Sequence, residues 1–221
     1  ETAVCNLGSI NMASFVVNGA FDRDLVARVV PVAMRMLDNT IDVNFYATEK
    51  TKRSNMRHRP VGLGLRGLMD ALYKLGLNFD TDLAVRFSDE SMETIAYHAI
   101  LSSALLAKER GTYESYKGSK WDRGIFPQDT IALLEQDRGT KIDIPRHETL
   151  DWRLVREAVR QWGMRNSNTM ANAPTASTAN IAGCYPTIEP IYKNIYVKSN
   201  MAGDFMIVNE FLVTDLKKLG L

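Results

Sequence analysis

Apolar residues recur at helical spacing over several long stretches of this chain. Leu25, Val29, Leu37 and Ile41 follow Asp22 on one helical stripe. The pattern predicts a helix capped by Asp22, running to about Asn44 and kinked at Pro31. A second helix is predicted over Leu65–Leu75, with Gly76 as a left-handed stop. The longest, from about Asp82 to Arg110 and ending at Gly111, carries Leu83, Phe87, Met92, Ile95, Ile100, Leu101 and Leu105. Another begins near Thr149 or Asp151 and ends at Gly163, and Asn209 caps a last one.

Elsewhere the period is that of strands. Residues 1–17 read as a strand with a turn, Phe15-Val16-Val17 being its β-rich tail and Asn18-Gly19 the turn after it. Ser167–Ala173 reads as a short buried strand and Ile188–Val197 as a further one. Residues 48–59, polar and basic, and residues 112–129 read as irregular. There is no internal repeat or low-complexity stretch. Helices alternating with strands predict a helix-rich α/β fold with parallel strands.

Composition narrows the class. Apolar residues are 45% of the 221, enough for a substantial core. The 27 Lys and Arg nearly cancel the 26 Asp and Glu, which gives no global attraction to nucleic acid or to an acidic membrane surface. No apolar run approaches the roughly 18–20 residues that span a bilayer. Two cysteines, Cys5 and Cys184, do not make a disulfide-stapled secreted scaffold, so a reducing, cytoplasmic setting is the expectation. The chain opens at Glu1 on an apolar run and stops after a helix-like pattern, and both ends read as cuts through a larger protein.

Gly62-x-Gly64-x-x-Gly67 fits the dinucleotide-binding pattern literally. That pattern needs a buried strand before it, and Arg53–Pro60 is none, so the glycines are expected to serve close backbone packing at a helix start. The basic run from Lys50 to Arg59 lacks interleaved aromatics and reads as a solvated loop or subunit contact rather than a phosphate patch. His58, His98 and His147 are scattered without metal-ligand spacing, so no protein-bound metal is expected, and His98 reads as structural. Cys5 by itself reads as a small hydrophobe in a strand, and Cys184 as a tolerated small residue in a turn. The loop Pro174-Thr175-Ala176-Ser177-Thr178 is the most suggestive local feature. It follows a strand, is rich in hydroxyls, and precedes a short helix through Ala179-Asn180-Ile181. It is either a phosphate-binding helix start or an ordinary N-cap.

Several blocks together resemble the large subunit of class I ribonucleotide reductases. They include Ala3–Asn11, Arg57–Gly64 and Trp152 to Pro174, with Gly163-Met164-Arg165-Asn166 inside the last. Ile188-Glu189-Pro190 and Val197-Lys198-Ser199 are similar to the segment after the substrate-phosphate loop. The resemblance implies that residues 1–221 are part of the catalytic domain, a ten-stranded α/β barrel built from two parallel five-stranded halves. It implies that Pro174, Thr175, Ala176, Ser177 and Thr178 hold the diphosphate of a ribonucleoside diphosphate. It implies that Cys5 is one half of the dithiol that reduces the substrate. In that chemistry a thiyl radical on another cysteine removes the 3′ hydrogen and the 2′ hydroxyl leaves as water. The dithiol supplies the electrons and closes to a disulfide.

The family's radical-bearing cysteine, in an Asn-Leu-Cys-x-Glu type motif, is absent from these residues, as is the partner of Cys5. The resemblance therefore implies further partners: the remainder of the large subunit, a separate metal-containing small subunit that supplies the radical, and a thioredoxin- or glutaredoxin-type reductant. No cofactor in this chain, no membrane and no direct DNA contact are expected. Two other readings are weighed. A class II, cobalamin-dependent reductase has a loop resembling Pro-Thr-Gly-Thr where Ala176-Ser177 stands here. A non-enzymatic helical binding module would use the basic stretch at Lys50–Arg59.

Overall fold

In a computed structural model, residues 1–221 are all described, the side chain of Asn200 excepted. Strand β1 (Leu7–Asn11) leads through a 3-10 turn (Met12–Phe15) into a two-residue ribbon, β2 (Val16–Val17) with β3 (Ala20–Phe21). Helices α1 (Arg23–Val43) and α2 (Glu49–His58) follow, then β4 (Gly62–Arg66), α3 (Leu68–Leu75) and α4 (Asp82–Arg110). The second half holds α5 (Asp129–Arg138), α6 (Trp152–Trp162), α7 (Ala176–Ala182), the hairpin of β5 (Ile195–Asn200) and β6 (Gly203–Val208), and α8 (Glu210–Lys218).

Strands β1 and β4 run parallel, Leu7 opposite Gly62 and Asn11 opposite Arg66. Residues 168–171 form a third parallel lane on the other side of β4. Val61 and Leu63 donate to the carbonyls of Asn168 and Thr169, and Ala171 donates back to Leu63. The stretch expected as a strand over Ser167–Ala173 is thus an irregular lane with a single bridge, Leu63 to Met170. The fold is helix-rich α/β with few strands.

Two cores lie on either side of the long helix. Val26, Val30, Met34 and Ile41 of α1 pack with Ile10, Leu63 and Leu65 of the strands, Leu68 and Leu72 of α3, and Ile95 of α4. Ile100 and Ala104 of α4 pack with Val155 and Val159 of α6 and with Tyr113, Phe126 and Met164. Helix α4 serves both because its buried positions are largely small: Ser91, Ala99, Ser102, Ser103, Ala104 and Ala107. Leu83 and Leu105, expected among its apolar contacts, point outward.

Local chemistry explains most boundaries. The Asp22 side chain accepts from Leu25 N at 2.8 Å, and α1 continues through Pro31. Helix α3 stops at Gly76, whose φ is +69°. The stretch 48–59, expected to be a loop, is α2. Thr48 and Thr51 cap it reciprocally, and buried Asn55 ties it down by accepting from Asn6 and donating to Tyr46. Residues 62–66, expected in part as the start of a helix, are a strand, and the helix begins at Leu68. The predicted strand over residues 1–17 is confined to β1 and two residues of β2. Of the strand expected over Ile188–Val197, only Ile195 onward is extended, paired with β6. Helix α5 went unpredicted because it buries no residue and shows no apolar stripe.

Candidate functional site

Three parallel lanes leave their carboxyl ends side by side, and that edge is where open α/β layers gather ligands. The lanes approach as closely as they do because of glycine. A Cβ on Gly64 would lie 2.2 Å from Ala171 O, and one on Gly62 2.7 Å from Ala171 Cβ. Gly62 and Gly64 therefore serve strand contact, and Gly67 the close packing at the start of α3.

At that edge is a cavity of about 720 Å³. Asn11 from the end of β1, Asp70 and Lys74 from α3, and Ala176, Ser177 and Cys184 around α7 line it, with Lys198 and Phe211 closing it from the hairpin and α8. Lys74 Nζ donates to Ala13 O at 2.9 Å, and Lys198 Nζ to Asn180 Oδ1 at 2.7 Å.

The loop predicted from sequence lies on this rim. Pro174, Ala176, Ser177 and Thr178 are exposed and Thr175 is buried. Residues 176–178 are already the first turn of α7. Thr175 occupies the N-cap position, yet makes no side-chain cap. Its Oγ1 instead accepts from Thr187 N at 2.9 Å, while Thr178 Oγ1 donates to Thr175 O at 3.4 Å. Thr175 is thus the N-cap residue of α7 without a side-chain bond to its first turn.

Cys5 is elsewhere. It is exposed, two residues before β1, at the amino ends of the lanes. Cys5 is not among the residues that line the cavity. Cys184 is the cysteine at the cavity, and burial, with Asp70 close by, pushes its thiol pKa up. Burial likewise raises the pKa of the Asp70 carboxyl from its ordinary value, against the hydrogen bond it accepts from Tyr185 N. Asp70 escaped the sequence reading. Its signal is an acid buried in an otherwise apolar run, Leu68-Met69-Asp70-Ala71-Leu72.

The remaining candidates have structural surroundings. The basic stretch Lys50–Arg59 ends on Arg59, whose side chain is buried against Asp38. His98 lies within α4, its pKa lowered by burial. His58 contacts Ser115 and Glu1, and His147 lies 3.7 Å from Asp89. Among the described residues no group of three or more His, Cys, Asp or Glu is placed to hold a metal. No helix is long and apolar enough to cross a membrane.

Parallel lanes backed by long helices, with a hydroxyl-rich loop at their carboxyl ends, define a piece of a larger α/β layer. The profile described as "Ribonucleotide reductase, barrel domain" matches residues 1–221, and the chain belongs to that family. It is 51% identical over 222 residues to the ribonucleoside-diphosphate reductase subunit alpha of Chlamydia pneumoniae, covering all of this chain and 21% of that one. It is 38% identical to the ribonucleoside-diphosphate reductase large subunit of Arabidopsis thaliana over 241 residues, all of this chain and 28% of that one. Against the subunit alpha of Helicobacter pylori the identity is 41% over 208 residues, 94% of this chain and 26% of the relative. The chain thus spans 21–28% of the length of these relatives.

Proposed function

We propose that residues 1–221 are part of the catalytic barrel of a ribonucleoside-diphosphate reductase large subunit, and that they anchor the substrate's diphosphate and contribute one redox thiol. The observation that carries the reading is the α7 start. Its N–H groups are not capped by Thr175 and stand at the carboxyl ends of parallel lanes, in a chain of this family. Such N–H groups and the hydroxyls of Ser177 and Thr178 suit a diphosphate, and anchoring it orients the ribose for attack.

Cys5 is one half of the reducing dithiol in this reading. Its partner, the radical-carrying cysteine and the other strands of a ten-stranded barrel come from the remainder of the large subunit. A separate metal-containing small subunit supplies the radical, and a thioredoxin- or glutaredoxin-type protein re-reduces the disulfide. The setting is cytoplasmic. A role as a free-standing binding module through Lys50–Arg59 loses its support, because Arg59 is committed to buried ion pairs.

The test is nucleoside diphosphate binding to the full-length large subunit by calorimetry. Replacing Thr175, Ser177 and Thr178 together by Ala is expected to cost about 1–3 kcal/mol of affinity, because the backbone donors survive. Unchanged affinity removes the hydroxyls as ligands. Turnover by the complete large subunit on adenosylcobalamin alone would overturn the two-subunit reading.

A further inference from the structure

The turn that closes α7, Gly183 to Thr187, is pinned from two directions. From the start of α3, Gly67 N donates to Tyr185 O at 2.8 Å and Leu68 N to Thr187 O at 3.4 Å. Tyr185 N donates to Asp70 Oδ2 at 2.8 Å. From the other side, Thr187 N donates to Thr175 Oγ1 at 2.9 Å. Asp70, Thr187 and Thr175 are 6%, 7% and 6% exposed, so these bonds form away from competing water.

The backbone carries marks of the same constraint. Thr187 has φ +40°, a conformation that a β-branched residue avoids. It persists where surroundings over-determine it. Gly67 has φ +70°, and a Cβ there would stand 2.8 Å from Asn11 Oδ1 and 3.2 Å from Cys184 Cβ. Helix α7 has only seven residues and two turns, too few to hold its own geometry in water. Where Thr175 sits, and hence where the N–H groups of residues 176–178 point, is therefore set through the 183–187 turn by α3.

We infer that Asp70 and Thr187 are positioning residues for the diphosphate loop, Asp70 acting as the acceptor that fixes Tyr185 and Thr187 as the link from that turn to Thr175. The inference rests on the loop being the diphosphate site. The role asked of Asp70 is that of a hydrogen-bond acceptor, which an amide oxygen also fills. Alanine does not.

The experiment uses the full-length large subunit with its radical-generating subunit, following KM, kcat and calorimetric Kd for a nucleoside diphosphate. Asp70→Ala is expected to raise KM and Kd together by about ten-fold, the worth of one strong hydrogen bond, with kcat little changed. Asp70→Asn restores both to near wild type. Thr175→Val cuts the same chain, so combining it with Asp70→Ala adds much less than the sum of the two. Should Asp70→Ala fail to fold, Asp70→Ser, whose hydroxyl is too short to reach Tyr185 N, carries the comparison. The double variant Ser177→Ala, Thr178→Ala, which leaves the bond from Thr187 to Thr175 intact, separates the two levels. If it leaves affinity unchanged and inorganic pyrophosphate does not compete with the nucleoside diphosphate, the diphosphate reading fails and takes the inference with it. If it weakens binding while Asp70→Ala does not, or while Asp70→Asn is as impaired as Asp70→Ala, the loop reading stands and the positioning role is overturned.

Discussion

Arg59 Nε meets Asp38 Oδ1 at 2.9 Å, with side chains 4% and 0% exposed. The pair is the centre of a network. Asp38 Oδ2 also faces Arg110 Nη1 at 3.3 Å and Arg165 Nε at 3.4 Å, and Asn166 Nδ2 donates to Asp38 Oδ1 at 3.1 Å. Arg59 reaches Asp42 with both terminal nitrogens, at 2.8 and 2.9 Å. One buried acid thus ties α1 to the α2–β4 junction, the end of α4 and the segment after α6. Such a group offsets its desolvation only while every partner is present. Asp38→Ala is expected to destabilise the full-length subunit by roughly 3–5 kcal/mol, since it removes the acceptor shared by buried Arg59 and by Arg110, Arg165 and Asn166. Asp42→Ala, at a site 41% exposed, should cost about 1 kcal/mol or less. Denaturant midpoints of the two variants check this, and equal effects would show that burial is not what gives Asp38 its weight.

Gly64→Ala tests the lane contact. The new methyl would meet Ala171 O at 2.2 Å, a backbone atom that cannot rotate away. A loss at or above the upper end of the ~1–3 kcal/mol typical of overpacking is expected. It should be accompanied by faster amide exchange at Leu63 and Ala171, whose N–H groups bridge the lanes. A neutral substitution would mean that the lanes lie farther apart than described.

What the sequence revealed and what it hid divide along physical lines. Caps and stops at Asp22, Gly76, Gly111, Gly163 and Asn209 were legible because each depends on chemistry within a few residues. Strand β4 was not, since two glycines in five residues read as a turn until Ala171, more than a hundred residues away, is brought against them. Helix α2 has no apolar stripe to announce it, and its anchors are Asn6 and Tyr46. At the site, the loop after Pro174 was legible from its small hydroxyl residues. The bond from Tyr185 to Asp70 was not, because it joins residues 115 apart.

Acid should loosen the joint between α4 and α6. Glu93 accepts from Thr149 N at 2.8 Å, Leu150 N at 3.2 Å and Trp152 Nε1 at 3.0 Å. Burial alone would raise its pKa, but these bonds, with that from the Thr149 hydroxyl, outweigh it and hold the carboxyl below its ordinary 4.5. A depressed folded-state pKa gives stabilisation that is complete above about 4.5 and is lost as pH falls through the lower value. Glu93→Gln should therefore be less stable than wild type at neutral pH by about 1–3 kcal/mol, and the difference should shrink below pH 4. Melting temperatures from neutral to acid pH give the answer, and a gap that persists at low pH would remove the charge from the explanation.

Cys5→Ser in the full-length subunit should abolish sustained dithiol turnover. The expectation follows from the match of Ala3–Asn11 to the redox strand and from the exposure of Cys5, which leaves its sulfur free to meet a partner supplied by the remaining polypeptide. Deoxynucleotide formation with the natural thiol reductant is the readout. Multiple turnovers at the wild-type rate would end the assignment of Cys5 to the dithiol.

The 221-residue chain by itself should show no reductase activity, and the placement of its two cysteines says why. Reduction needs a thiol that carries the radical and a pair that closes to a disulfide. Closing a disulfide needs Cα atoms within about 7 Å. Cys184 lines the cavity, whereas Cys5 is exposed before β1 and does not line it. The two cysteines are both free, and two thiols cannot fill three roles. Adding the rest of the large subunit should supply both missing thiols and complete the lanes, and activity should then appear when a radical-generating subunit is present. Deoxynucleotide production is to be measured from the chain alone, from the remainder alone and from the mixture. Turnover by the purified chain alone would overturn the division of chemistry between this segment and the rest of the enzyme.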